Sequence, residues 1–188
     1  MPSGKLEEYV IPSYRKLRTF YHTQKYFQHA KQRFYDIVSE EHPESILDVG
    51  CGHGLDSKPL MSLGVKYLGV DPIEENLELA REDNPEGDFR LGYMQELPFE
   101  DNSFDWVFTA GVWDVLSTVE NMKKGIEECM RVAKRRVYSL DATMRPRFMR
   151  ERYLMVPMHY GLSITRVNYN PEKEKADYLW CIDLEGIK

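Results

Sequence analysis

Gly50, Gly52 and Gly54 occupy alternate positions in the stretch ILDVGCGHG, Ile46 to Gly54, and Asp48 stands two residues before the first of them. Glycine has no Cβ and accepts positive φ, so such a bend can bring the main chain close to a ligand. The apolar run before it reads as a buried strand, Ser45 to Val49. In an open α/β sheet, ligands bind at the carboxyl ends of the strands, where the strand order reverses. A helix after the bend would turn unpaired N–H groups toward the ligand. Dinucleotide binders favour G-x-G-x-x-G. Here the spacing is G-x-G-x-G, and Leu55 stands where the third glycine is needed. A second anchor follows 17 residues after Gly54, where Asp71 closes the apolar run VKYLGV. A carboxylate there can accept from both hydroxyls of a ribose. The other role open to Asp71 is to cap a helix beginning at Pro72.

The segments LDVGCGHG, LGVDPIEENLELARE and LPFEDNSFDWVFTAGVWDVL together resemble the class I S-adenosylmethionine-dependent methyltransferases, in their small-molecule-type branch. The resemblance covers about Ser45 to Asp141. It implies a doubly wound, mostly parallel sheet of seven strands, with the last strand antiparallel beside the fifth, and S-adenosyl-L-methionine as cofactor. It implies that Asp48, Gly50, Cys51 and Gly52 hold the methionine end, that Asp71 takes the ribose, and that Ile73 or Pro72 packs on the adenine. The loop LGYMQELPF would close over the other face of the adenine. Many relatives carry an acid where this chain has Tyr93, and that acid accepts from the adenine amino group. Here Met94 would supply a backbone N–H and Gln95 an acceptor. Thr109, Ala110 and Gly111 would lie beside the sulfonium. The DPPY-like tetrapeptide of amino-methylating nucleic-acid enzymes is absent, and TAGV stands in its place.

A sulfonium methyl is already activated, so an enzyme of this kind mainly has to place a nucleophile in line behind it. Positioning can be worth about 7–11 kcal/mol. A general base is needed only if the nucleophile carries a proton. Asp114 and His159 are the candidate bases, and Tyr21 is a candidate wall whose ring face would stabilise the sulfonium charge. Trp113 reads as a packing residue and Asp105 as structural.

These residues need a particular frame. Ser13 to Glu40 carries apolar residues at helical spacing and predicts an N-terminal helical cap over 1–40. Residues 45–141 predict the cofactor-binding core: strands around Ser45–Val49, Val65–Val70, Asp88–Leu91, WVFTAG and RRVYSLDA, separated by helices. One helix is expected over Leu55–Leu63, one from Pro72, and one opened by a capping box, Ser117 with Glu120. Residues 142–188 predict a substrate-side segment and a terminal antiparallel hairpin, with Tyr178, Trp180, Ile182 and Leu184 on one face.

The 188 residues fit a single domain with 42% apolar and 30% charged residues. No apolar run approaches the roughly 20 residues of a membrane span, and no secretion signal is visible. Three scattered cysteines suit a reduced, cytoplasmic protein without a metal site. The net charge of −6 is uneven. Arg15, Lys16, Arg18, Lys25, Lys31 and Arg33 form a stretch without acids. Lys134, Arg135, Arg136, Arg145, Arg147, Arg150 and Arg152 face only Asp141 and Glu151. A basic rim would concentrate an anionic small-molecule acceptor. Nucleic acid is disfavoured by the overall negative charge. A nicotinamide oxidoreductase lacks its glycine spacing. A non-catalytic cofactor-binding subunit and an RNA or protein methyltransferase remain as alternatives.

Overall fold

The computed structural model describes residues 28–113, 118–143, 161–170 and 175–185. In chain order these hold α1 (Gln28–Glu41), β1 (Ser45–Val49), α2 (Ser57–Ser62), β2 (Lys66–Asp71), α3 (Glu74–Asp83), β3 (Asp88–Leu91) and β4 (Phe104–Ala110). They continue through α4 (Val119–Val132), β5 (Ala133–Thr143), β6 (Gly161–Asn170) and β7 (Lys175–Asp183). Among the described residues seven strands form one sheet in the order β3-β2-β1-β4-β5-β7-β6. The pairs from β3 to β5 are parallel, and β7 runs antiparallel between β5 and β6. This is the doubly wound, mostly parallel architecture with a terminal antiparallel hairpin that the sequence predicts.

The alternation of side chains along each strand divides the core into two layers. Leu47, Val49, Val107, Val137 and Ile182 face Met122, Ile126 and Met130 of α4. Ile46, Trp106, Phe108, Tyr138 and Leu179 face Phe34 and Val38 of α1, Leu60 of α2 and Leu77 of α3. Phe34 stacks on Phe108 with ring centroids 4.2 Å apart. Trp180, Ile182 and Leu184 share the α4 layer, as their period-two spacing predicts.

Some boundaries differ from the sequence reading. α2 starts at Ser57, after the whole glycine bend, instead of at Leu55. α3 starts at Glu74 with Ile73 as its N-cap residue, so Pro72 lies outside the helix. The reason is local: Asp71 Oδ1 accepts from Ile73 N at 3.0 Å, an Asx-type turn that holds Pro72 in a bend. The cap of α4 is Thr118, whose hydroxyl accepts from Asn121 N at 3.1 Å, one residue past the expected Ser117, which lies outside the described residues. No helix among the described residues is long and apolar enough to cross a membrane.

Candidate functional site

The order of the strands places the switch point between β1 and β4, since the chain winds from β1 outward to β3 and then returns to β4. The glycine bend leaves β1 at that point. Gly50, Gly52 and Gly54 have φ of 78°, 56° and 73°, the left-handed region in which a side chain is strained. A Cβ on Gly50 would sit 2.5 Å from Val112 Cγ2, and one on Gly54 would sit 2.8 Å from the Phe89 ring. The bend is therefore wedged between the segment after β4 and the third strand.

The donors of this bend are already used. Gly50 N and Cys51 N both donate to Val70 O, at 2.8 and 3.0 Å, and Gly54 N donates to Cys51 O at 2.9 Å. Gly52 N donates to Asp71 Oδ2 at 3.0 Å. These four N–H groups are therefore not free for a ligand. An arrangement of this kind offers little to a pyrophosphate, which needs free backbone donors.

What surrounds the bend instead is carboxylate. Among the described residues Asp48, Asp56 and Asp71 are buried here, exposed by 2%, 6% and 4%. Asp48 Oδ2 accepts from the Tyr67 hydroxyl at 2.8 Å. Asp56 pairs with Lys31 Nζ of α1 at 2.6 Å and accepts from the Tyr35 hydroxyl. Burial pushes the Asp48 carboxyl up to about 8, and the charge of Asp56 adds to the push, while the Tyr67 hydrogen bond and Lys31 oppose it. Burial likewise raises Asp71, against hydrogen bonds from Asn76, Ile73 and Gly52. Burial raises the Tyr35 and Tyr67 hydroxyls too, so both remain protonated donors.

Asp71 holds three of the bonds a carboxylate can accept: Ile73 N and Asn76 Nδ2 (2.9 Å) on Oδ1, and Gly52 N on Oδ2. With about four acceptor positions in all, room is left for one more donor. The cap role anticipated for Asp71 falls to Ile73 instead, and the carboxylate ties the glycine bend to β2 while keeping an acceptor position open. Cys51 turns back under the bend. Its Sγ lies 2.8 Å from where a Cβ on Gly69 would stand, so β2 needs glycine there. Leu55 is exposed and does not fill the bend.

The remaining expected residues fall as follows. Pro72 and Ile73 are half-buried at the carboxyl end of β2. Tyr93 and Gln95 are half-buried in the loop after β3, and Tyr93 O accepts from Glu96 N at 3.0 Å. The Met94 side chain is buried in the α4 layer, close enough to α4 that a Cβ on Gly125 would stand 2.8 Å from its Sδ. Thr109 is wholly buried and donates to Ser139 Oγ at 2.8 Å, so its hydroxyl is occupied inside the sheet. Trp113 Nε1 donates to the same oxygen at 2.8 Å, which fits its reading as a packing residue. Ala110 and Gly111 end β4 half-exposed, and Gly111 takes φ 67°. Asp105 accepts from Glu44 N at 2.7 Å, a structural role. Asp114, His159 and Tyr21 lie outside the described residues.

Sequence reasoning missed Asp56, Lys31, Tyr35 and Tyr67. Each looks ordinary in the chain: the packing of α1 over the bend joins Lys31 and Tyr35 to Asp56, and Tyr67 reaches Asp48 from β2. It also placed the basic residues too uniformly. Lys134, Arg135 and Arg136 lie in the amino-terminal part of β5, away from the bend. They pair there with Asp105, Glu41, Glu185 and Asp183.

A family model described as a methyltransferase domain matches residues 47–140, half of the chain. The chain is 31% identical over 109 residues to the demethylmenaquinone methyltransferase of Thermotoga maritima, covering 56% of this chain and 46% of that protein. It is 36% identical over 97 residues to the mitochondrial ubiquinone biosynthesis O-methyltransferase of Rattus norvegicus, covering 47% and 27%. The matches therefore span less than half the length of these curated relatives. Among solved structures, the magnesium protoporphyrin IX methyltransferase of Synechocystis, crystallised with bound SAM, superposes with a TM-score of 0.66 at 17% identity over 90% of each chain. That likeness is one of fold.

Proposed function

The chain belongs to the methyltransferase-domain family, and from that premise we propose that it transfers a methyl group from S-adenosyl-L-methionine to a small organic acceptor. The observation that carries this reading is the pairing of a donor-poor glycine bend with three buried carboxylates. S-adenosylmethionine brings a sulfonium and an ammonium, and buried carboxylates that can ionise beside them suit cations and not phosphates. In this reading Asp48 and the Gly50-Cys51-Gly52 bend hold the amino-acid end. Asp71 uses its remaining acceptor position for one ribose hydroxyl. Pro72 and Ile73 pack on one side of the adenine, and the 93–95 segment covers its edge. Ala110 and Gly111 border the reacting methyl.

The cofactor, when bound, supplies an activated methyl on a positively charged sulfur. The protein has to hold that sulfur, keep water out and leave an open line to the acceptor. Val112 against Gly50 and Phe89 against Gly54 fix the bend so that it needs no reordering on binding. The acceptor side falls to Asp114, His159 and Tyr21, with Asp114 or His159 taking a proton where the acceptor carries one. The relatives are named for quinone precursors, which places phenol or enol carbons and oxygens among the acceptors to try first. An anionic acceptor would rest on Arg145, Arg147, Arg150 and Arg152 and on the basic N-terminal stretch, since the described basic residues of β5 are paired elsewhere.

Calorimetric titration with S-adenosylmethionine, S-adenosylhomocysteine and NAD, followed by labelled-methyl transfer into a metabolite extract, tests the proposal. Binding of the first two and label in an extracted small molecule are expected. Binding of NAD alone would overturn the cofactor assignment. Binding without transfer to any small molecule would favour the non-catalytic alternative.

A further inference from the structure

Asp56 belongs to the turn between the glycine bend and α2, yet both of its oxygens are engaged from α1. Lys31 Nζ pairs with Oδ2 at 2.6 Å and the Tyr35 hydroxyl donates to Oδ1. Asp48 is approached from the opposite side by Tyr67 of β2, at 2.8 Å. The described charged and titratable groups acting on Asp48 are Asp56, Tyr67, Lys31 and Asp71. Cys51, whose thiol burial keeps protonated, lies near as well. Of these, two are further carboxylates and one is an ammonium, and that ammonium is committed to Asp56. Little solvent reaches the group to screen the surplus. In a dry site, a carboxylate without its own cation lowers its energy by holding a proton.

We propose that Asp48, buried with the Tyr67 hydroxyl as its only described partner while Lys31 is committed to Asp56, holds a proton while the site is empty, and that this proton is released when a ligand brings an ammonium group to the bend. Asp56 then acts through Asp48 as a positioning residue: together with burial it sets the pH at which the bend accepts the amino-acid end of the ligand. The step is simple in its balance: the O–H bond of Asp48 breaks, the proton passes to buffer, and the incoming ammonium takes its place as counter-charge. No electrons change hands. The inference rests on the S-adenosylmethionine reading of the site. It adds that affinity for ligands with the amino-acid end falls as pH drops, by about tenfold per pH unit below the Asp48 transition, because one proton must be displaced.

The test titrates the full chain with S-adenosylhomocysteine and with 5′-methylthioadenosine, which lacks the amino-acid end. Heats measured at pH 7 in phosphate and in Tris give the protons released. At that pH the ligand's own α-amino group, which titrates well above pH 7 beside its free carboxylate, is already charged, so the proton counted is the protein's. About one proton per site is expected for S-adenosylhomocysteine and close to none for 5′-methylthioadenosine. In Asp56→Asn, Lys31 is freed toward Asp48 and the like charge is gone. The release should move to lower pH and fall in amount at pH 7, with burial still holding part of the proton, a change that a purely structural Asp56 would not produce. Should that variant not fold, the proton count of the unaltered chain still decides. Binding of S-adenosylhomocysteine without proton release overturns this proposal and leaves the cofactor assignment standing. Failure of both adenosyl ligands to bind overturns the cofactor assignment, and this proposal with it.

Discussion

Asp48 is a single carboxyl whose surroundings leave a measurable trace on the stability of the whole chain. Its folded-state value of about 8 lies above the ordinary aspartate value of about 3.9, chiefly through burial. The folded state therefore binds the proton more tightly than the unfolded chain. That contribution is complete below pH 4 and is lost as pH rises through 8. Between the two values the slope for one proton is about −1.4 kcal/mol per pH unit. Asp48→Asn keeps an acceptor for the Tyr67 hydroxyl and removes the titration. Urea unfolding of the ligand-free protein between pH 5 and 7 should show the native chain losing about 2–3 kcal/mol relative to Asp48→Asn. Equal slopes for the two proteins would mean that Asp48 is ionised in the empty site. At this scale the sequence disclosed the residues whose role is set by neighbours in the chain, such as Gly50, Gly52 and Asp71. It did not disclose Asp56 or Lys31, because their ion pair spans 25 positions and depends on how α1 lies over the bend.

β4, β5 and the segment that follows β4 meet at one hydroxyl. Ser139 Oγ accepts from Thr109 of β4 and from Trp113, both at 2.8 Å and all three buried. Trp113 in turn lies against Trp180 of β7, with ring centroids 5.8 Å apart. The oxygen thus fixes where the chain turns after β4, next to the glycine bend that Val112 touches. Ser139→Ala leaves two buried donors unpaired and should cost about 1–3 kcal/mol. Trp113→Phe in the same background removes one of those donors, so the double variant should cost less than the sum of the two singles. Thermal or urea unfolding of the four proteins in a cycle checks this, and strict additivity would show that the shared oxygen does not couple them. Elements were legible where burial repeats. β1 and the α4 face follow from runs and periods, since the described apolar residues there meet the core, whereas in β3 only Phe89 does and Leu91 is exposed. Element ends were less so. The start of α3 shifted because the Asp71 side chain bonds Ile73 N, and the cap of α4 is Thr118 because its hydroxyl meets Asn121 N. Two adjacent residues of similar chemistry cannot be told apart until the backbone chooses one.

Across the whole molecule, α1 ties the acidic bend after β1 to the far end of the sheet. Its first turns bring Lys31 and Tyr35 to Asp56, and its last residue, Glu41, pairs with Arg135 and Arg136 at the opposite end of the sheet. Between these polar ends Phe34 is fully buried, stacked on Phe108 and tilted against Trp106 and Tyr138, at 6.5 and 5.2 Å. Of the helical cap read over 1–40, the described part is α1, with Phe34 and Val38 of its apolar stripe buried, and residues 1–27 lie outside the described residues. The sequence could not show that the stripe inserts into the second core layer, because the facing residues come from β4 and β5. If α1 is integral to the fold in this way, Phe34→Ala should cost about 3–5 kcal/mol, the range for emptying a packed aromatic site. Arg33→Ala, one residue earlier and paired with Glu40 at an exposed 3.7 Å, should change stability by less than about 0.5 kcal/mol. Phe34→Ala should also speed amide exchange throughout α1 and weaken S-adenosylhomocysteine binding, because loosening the helix removes Lys31 and Tyr35 from Asp56 together. A Phe34→Ala chain of unchanged stability whose α1 amides already exchange freely in the parent would show the helix to be an appendage. The cluster of Asp48, Asp56 and Asp71 would then have to form without it.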